Sequence, residues 1–560
     1  MHRTGAPMKK LLSLFALLVL FGCSGSTDDT FSTSPADVVP LTLEQRIQQA
    51  AVNDPETALE VVPSDHLDAP PASVAPRGLP LLVPVADLQT SYEILFGSLS
   101  QKLGVTLTTP EVVADINFIK SQSATGNFDL NAKPILNNPL GVTAISFEPV
   151  NYQTTVPLPS GSQTFQVSGG LIMPQGITKD QVKGVVVYFH GTTTDNAAVG
   201  SQFLGNNETQ LTAQVFASQG YIVVIPDYVG QGVDYLSVHP YVLYPRVSAQ
   251  TAVDMLTAVQ PLIASQYGFA DGDGPLKLFS TGYSEGGAYS LWFSVYLSQD
   301  PGLLNAFYVL THSVGIEGAY NTSSVTRGFI FDQVNASGSN PYNVQSQTLV
   351  NLAKPILAAD AFLSYATYTL SSDFASVFST DFFAMKATPP NPQDLANVNG
   401  QQLTIAQAFR LPSTELEKEL VITALDKSSN GQTYTGFLEA PFSTSNSGKA
   451  LMSTVFFTPP LQQQLQQVLL SADVDLSPVA DQGVSIISLA QDSVVSPNNF
   501  DALQAAYPTK LRNAVKIDQK QLQVLSPFSE VINLPYWVPA DHQNVPVYAF
   551  LYALHIFNGF

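Results

Sequence analysis

The sequence predicts an α/β fold built on a mostly parallel sheet, and three observations carry that expectation. Continuous apolar runs at 185–189 and 221–226 read as strands buried on both faces, as a parallel sheet covered by helices requires. Helical periodicity at 247–263 and 285–297 alternates with the strands, as crossover connections demand. The chain is 560 residues long and 45% hydrophobic, enough for one large elaborated domain or two to four small ones.

The elements follow in chain order. Arg3, Lys9 and Lys10 precede a short apolar run at 11–21, and Gly22-Cys23-Ser24-Gly25-Ser26 comes next. A charged start, a short apolar stretch and small residues make the pattern of an export signal, here residues 1–22. The run falls short of the roughly 20 residues that a spanning helix needs. Residues 23–43, rich in Ser, Thr, Asp and Pro, read as a tether. Residues 44–146 carry short helical patterns broken by Pro-rich stretches and read as an N-terminal extension. Residues 147–156 and 164–173 form an expected hairpin around Ser160-Gly161-Ser162. Strands at 185–189, 221–226, 276–280, 307–311 and 484–489 then build a core placed at 147–320 and 480–560. Between them, 321–479 is rich in Ala, Leu, Phe and Gln at helical spacing and reads as a mainly helical cap insertion. No internal repeat is visible.

Composition excludes several functions. Basic residues number 23 against 44 acidic ones, a net charge of −21. That balance disfavours nucleic acid, whose binding is driven by Lys and Arg neutralising phosphates, and electrostatic docking on anionic lipid. Removing residues 1–22 takes away Arg3, Lys9 and Lys10 and no acid, so the mature chain is more acidic still. Cys23 is the single cysteine, which rules out an internal disulfide and multi-cysteine zinc or iron–sulfur sites.

The chemistry concentrates at Gly282-Tyr283-Ser284-Glu285-Gly286, between an apolar strand and a helical stretch. A sharp strand-to-helix turn exposes the serine hydroxyl above a sheet, flanking glycines let it pack, and the helix N-terminus brings free N–H groups. His190-Gly191-Thr192 follows the strand at 185–189, and Asp227-Tyr228-Val229-Gly230-Gln231-Gly232 follows the next. Asp492 lies in Gln491-Asp492-Ser493-Val494-Val495 after the strand at 484–489, and His542 precedes a final apolar helix.

These pieces resemble the α/β-hydrolase superfamily, as seen in secreted bacterial lipoprotein esterases and lipases, over 147–320 and 480–557, about half of the chain. The resemblance implies an α/β-hydrolase fold in which Ser284 is the nucleophile, Asp492 the acid and His542 the base, in the superfamily's order. It implies an oxyanion hole made by the backbone N–H groups of Glu285 and Thr192. Serine needs such a base, the base needs a carboxylate to fix its tautomer, and the tetrahedral oxyanion needs preorganised donors. Leu20-Phe21-Gly22-Cys23 resembles a bacterial lipobox, which implies lipid attachment at Cys23; Ser24 after it resembles lipoproteins sorted to an outer membrane or cell surface.

Each role has a competitor. Glu317, after the strand at 307–311, is the alternative acid, and His555 in the C-terminal helix the alternative base. Asp481 precedes its strand, at the wrong end of a sheet. His312 reads as a structural residue at the end of its strand, His190 as orienting its loop and His239 as a satisfied loop residue; His66 belongs to the extension. Asp271-Gly272-Asp273-Gly274 reads as a solvated turn, because the later ligands of a calcium loop are missing. In the cap, Phe362, Tyr365, Tyr368, Phe374, Phe378, Phe382 and Phe383 read mostly as core, with the remainder available to line an apolar pocket.

The expected function is hydrolysis of a small-molecule or lipid carboxylic ester through an acyl-enzyme, in an exported protein held at the cell envelope by its lipid. No cofactor, metal, nucleic acid or obligatory protein partner is expected. A serine peptidase or amidase of the same superfamily and a catalytically inactive surface binding lipoprotein are the alternatives.

Overall fold

Ten strands form one sheet in the computed structural model. It describes residues 75–76, 81–84, 140–193, 198–203, 206–235, 237–270, 272–331, 347–378, 397–398, 401–402, 453–490, 492, 494–517, 542 and 545–560. The expected signal, the tether with Cys23, His66, Asp271, Phe382 and Phe383 lie outside the described residues. The strands run Ala75–Pro76 (β1), Leu81–Pro84 (β2), Ala144–Leu158 (β3), Gly161–Gln175 (β4), Gly184–Phe189 (β5), Tyr221–Pro226 (β6), Leu276–Tyr283 (β7), Tyr308–Ile316 (β8), Val484–Leu489 (β9) and Leu511–Ile517 (β10). Their order across the sheet is β1-β3-β4-β6-β5-β7-β8-β9-β10, with β2 also on β3. From β6 to β10 every pairing is parallel, whereas β4 runs antiparallel to both β3 and β6.

Strand periodicity explains the layers. Val185, Val187 and Phe189 of β5, with Ile222 and Val224 of β6, join one apolar cluster; Val186, Tyr188, Val223 and Ile225 join another. Successive side chains point to opposite faces, so two covered faces demand an unbroken apolar run. Helices Pro245–Tyr267 (α1) and Glu285–Gln299 (α2) pack on the first face, through Val247, Met255, Val259, Tyr289 and Phe293. Asn207–Val215 (α3) and Val545–Asn558 (α4) cover the second, through Leu211, Phe550 and Phe557.

The described part of the insertion continues the first core. Helices Gln347–Tyr368 (α5) and Pro459–Ala472 (α6) contribute Phe362, Tyr365, Tyr368, Leu465 and Leu469 to the cluster that α1 joins, together with Phe374 and Phe378. No helix among the described residues is long and apolar enough to cross a membrane.

One expectation is corrected. The strand expected at 307–311 runs on to Ile316, which puts His312 in its middle instead of at its end. Its polar centre is tolerated because the groups are paired: the Ser280 hydroxyl donates to Ser313 Oγ at 2.6 Å, and His312 Nε2 lies 2.8 Å from Ser485 Oγ. Strand β10 is a further strand; Leu511-Arg512-Asn513-Ala514-Val515-Lys516-Ile517 carries Arg512 and Lys516 and pairs with β9 alone.

Candidate active site

Strand β7 ends at Tyr283 and α2 begins at Glu285, so Ser284 alone makes the turn between them. Its φ of 57° is strained for a residue with a Cβ. The surroundings hold it there: the Ser284 N–H donates to the Ile316 carbonyl at 2.9 Å, and the Ser284 carbonyl accepts from the Gly287 N–H at 3.0 Å. Glycine is required at two flanking positions. A Cβ on Gly286 would stand 1.9 Å from the Phe189 carbonyl oxygen, and one on Gly282 would stand 2.3 Å from the Gly286 oxygen.

The fold brings His542 to that serine across a sequence gap of 258 residues and to Asp492 across one of 50. His542 Nε2 lies 2.9 Å from Ser284 Oγ, and Nδ1 lies 2.6 Å from Asp492 Oδ2. All three are buried. The Nδ1–H donates to the carboxylate, which leaves Nε2 to accept from the serine hydroxyl. Asp492 Oδ1 accepts from the Val494 and Val495 N–H groups at 2.6 and 2.9 Å. Burial by itself raises the Asp492 carboxyl, but the charge and hydrogen bond of His542 outweigh it and hold Asp492 below the usual carboxylate range. The Tyr283 ring lies 4.9 Å from the His542 ring.

The competitors take other places. His555 sits in the last turn of α4, and the imidazole bonded to Ser284 is His542. Burial, with Arg512 nearby, pushes His312 down to about 3, which makes it a neutral core imidazole. Glu317 approaches Asp492 instead of a histidine nitrogen hydrogen-bonded to the serine. Asp481 pairs with Lys510, and Asp273 pairs with Lys179 at 2.9 Å while accepting from the Ala270 N–H.

Glu285 is the first residue of α2, and its backbone N–H, like that of Thr192, has no acceptor among the described residues. The Thr192 loop is held from behind: Glu208 Oε1 accepts the Gly191 N–H at 2.9 Å and also the Tyr188 hydroxyl. His190 Nδ1–H donates to the Gly191 carbonyl at 2.8 Å, its ring stacks on Tyr228 at 4.1 Å, and Tyr228 donates to the His190 carbonyl.

His239 is more than a satisfied loop residue. Its Nε2 lies 2.6 Å from Glu285 Oε1, which also accepts the Tyr289 hydroxyl at 2.6 Å, and its Nδ1–H donates to the Val229 carbonyl. Both partners are 1% exposed. Burial acts to lower His239, but the Glu285 charge and hydrogen bond raise it overall, and the buried hydrogen bond anchors the residue next to Ser284. Nothing local in Val238-His239-Pro240 signals this partner, which lies 46 residues away.

Between β6 and α1, burial pushes the Asp234 carboxyl up from 3.8 to about 7, against hydrogen bonds from the Gly230 N–H and the Ser237 hydroxyl. The unfolded chain loses this proton near 3.8 and the folded chain near 7. Stability therefore falls as pH rises across that window and is flat above it. Full conversion is about 4 kcal/mol, and since Asp234 keeps some solvent contact a loss of about 1–3 kcal/mol is expected. Urea unfolding of wild type and Asp234→Asn at pH 5 and pH 8 checks this: the variant gains on wild type at pH 8. A difference that does not change with pH refutes it.

Glu317, Asp492 and His542 offer ligand atoms within 4.8 Å of one another. Both His542 nitrogens are already engaged, by Asp492 and Ser284, so a cation here would have to displace one of those bonds. The donors fit a proton relay, not a metal centre.

A parallel sheet in this order, with β4 reversed and a strained serine between β7 and α2, is the α/β-hydrolase fold. No protein-family model and no curated protein matches the chain. Among solved structures, the chain is similar to the rice cell wall degrading esterase LipA from Xanthomonas oryzae, at 16% identity, TM-score 0.49, over 73% of this chain and 89% of that one. It is also similar to a chain from Legionella pneumophila described as a candidate hydrolase, at 17% identity, TM-score 0.48, over 83% and 99%. Lipase A from Candida antarctica is similar at 11% identity, TM-score 0.42, over 74% and 78%.

Proposed function

We propose that this protein is a serine hydrolase that cleaves carboxylic esters through an acyl-enzyme on Ser284. The observation that carries it is the unbroken hydrogen-bonded chain from Asp492 through His542 to Ser284 Oγ on a strained elbow. Ser284 Oγ attacks the ester carbonyl as His542 Nε2 takes its proton. The Glu285 and Thr192 N–H groups stabilise the oxyanion, a donor of this kind contributing about 2.7–4 kcal/mol. Collapse breaks the bond to the alcohol, which leaves with the proton from His542. Water, deprotonated by the same imidazole, then releases the acid. Export and lipid attachment at Cys23 complete the proposal and place the enzyme on an outer membrane or cell surface.

Turnover of p-nitrophenyl esters of graded chain length, beside the matching p-nitroanilides, is the test. Ester turnover is expected. No turnover at any chain length by folded protein sinks the proposal, and faster cleavage of the anilides replaces it with the amidase reading.

A further inference from the structure

Glu317 is a buried acid that the triad chemistry leaves unused. It follows the last residue of β8, is 1% exposed, and holds a φ of 52°, a region that residues with a Cβ rarely occupy. The neighbouring strand fixes it there. Its N–H donates to the Ile487 carbonyl at 2.9 Å, and its carboxyl accepts the Leu489 N–H and, at 3.2 Å, the Ser488 hydroxyl. Two non-glycine residues of this site, Ser284 and Glu317, share positive φ. Strain kept in place by surrounding bonds collects where geometry matters to function.

The bond inventory of Asp492 says what Glu317 does. A carboxylate has about four lone-pair sites. In Asp492, His542 takes one and the Val494 and Val495 N–H groups take two. A buried carboxylate left short of a donor is costly. Glu317 has its carboxyl within 4.8 Å of both Asp492 and His542. Two carboxyls this close do not both ionise. Burial first, then the Asp492 charge, pushes Glu317 well above the carboxylate range, whereas His542 keeps Asp492 below it. The proton of the pair therefore resides on Glu317. The titratable groups near it are Asp492, His542 and the Tyr320 hydroxyl.

We propose that Glu317 is a positioning residue of the hydrolytic reaction, a protonated carboxyl whose O–H donates to Asp492 and fixes the carboxylate that orients His542. This rests on the serine-hydrolase reading. A role as a spare acid is different, since that needs an ionised carboxylate at His542.

The experiment compares kcat, KM and their pH profiles for wild type, Glu317→Ala, Glu317→Gln, Asp492→Asn and the Asp492→Asn, Glu317→Gln double variant on a p-nitrophenyl ester. Glu317→Ala is expected to lower kcat by about 10–100-fold with KM within about twofold, because an orienting bond is lost and not a binding one. Glu317→Gln, whose amide can still donate to Asp492, should recover kcat to within about threefold of wild type. Its acid limb should stay within about 0.3 pH unit of wild type, since no charge is removed. If Glu317 is ionised, the Gln variant loses a negative charge beside His542, and the limb moves down by about one unit or more. That shift overturns the proposal. So does wild-type kcat in both Glu317 variants, or Asp492→Asn activity that disappears in the double variant. The Gln pH profile decides the matter even if Glu317→Ala fails to fold. An inactive wild type would fail the hydrolase reading itself, which is a separate outcome.

Discussion

Ser284→Ala is expected to lower kcat for ester hydrolysis by about 10⁵-fold or more, with KM little changed and the fold intact. The hydroxyl is the only group at the elbow that can form the acyl bond, and Ala occupies the same strained backbone at the same cost. The size of the effect follows from the members acting as a unit. Once the serine is gone, the imidazole has no proton to take, so His542→Ala and the Ser284→Ala, His542→Ala double variant should each lose about as much as Ser284→Ala alone. A residual acceleration of about 10³–10⁴ over water should survive in all three, from the oxyanion donors and from binding. A fluorophosphonate probe gives a second readout: it should label wild type and spare Ser284→Ala. If Ser284→Ala retains about a hundredth of the wild-type rate, or if the double variant loses the product of the two single losses, the serine is not the nucleophile.

Much of the frame was legible because a parallel sheet writes itself as apolar runs. At 185–189 and 221–226 both faces of the strand are covered, so the pattern is an unbroken apolar run. The elbow was legible for a related reason, since Gly282 and Gly286 are forced by backbone approaching within 2.6 Å. What escaped were features whose cause lies far off in sequence. Strand β8 looked finished at Thr311 because His312 and Ser313 look like loop residues, and only their buried partners Ser485 and Ser280 explain them. Strand β10 has Arg512 and Lys516 in it and no apolar run. His239 holds the Glu285 carboxyl and Glu208 the Gly191 N–H from separate loops and helices, so no local spacing marks them. Glu317 was visible as an acid in a suggestive place, but its role depends on which of two neighbouring carboxyls His542 engages, and that is a tertiary fact.

Gly286→Ala should do more damage than any other single methyl group added among the described glycines. The new Cβ would stand 1.9 Å from the Phe189 carbonyl oxygen, 2.4 Å from its carbon and 2.6 Å from the His190 oxygen. All three are backbone atoms, so no rotamer change relieves the clash. Relief requires that α2 move away from the end of β5, and β5 is buried throughout. Close-packed interiors yield little, and a loss of about 4 kcal/mol or more is expected, read as a fall in the urea midpoint or as failure to accumulate soluble protein. The movement required also separates the two proposed oxyanion donors, because Thr192 lies just beyond β5 and Glu285 opens α2. A shift of about 1 Å there can cost about 100-fold in rate, so whatever fraction folds should be nearly inactive. Gly274→Ala is the control: a Cβ there meets nothing within 4 Å, and stability should stay within about 0.5 kcal/mol of wild type. Gly286→Ala with wild-type stability and turnover would mean that β5 and α2 do not approach as closely as the elbow requires, and the oxyanion assignment to Glu285 and Thr192 would fall with it.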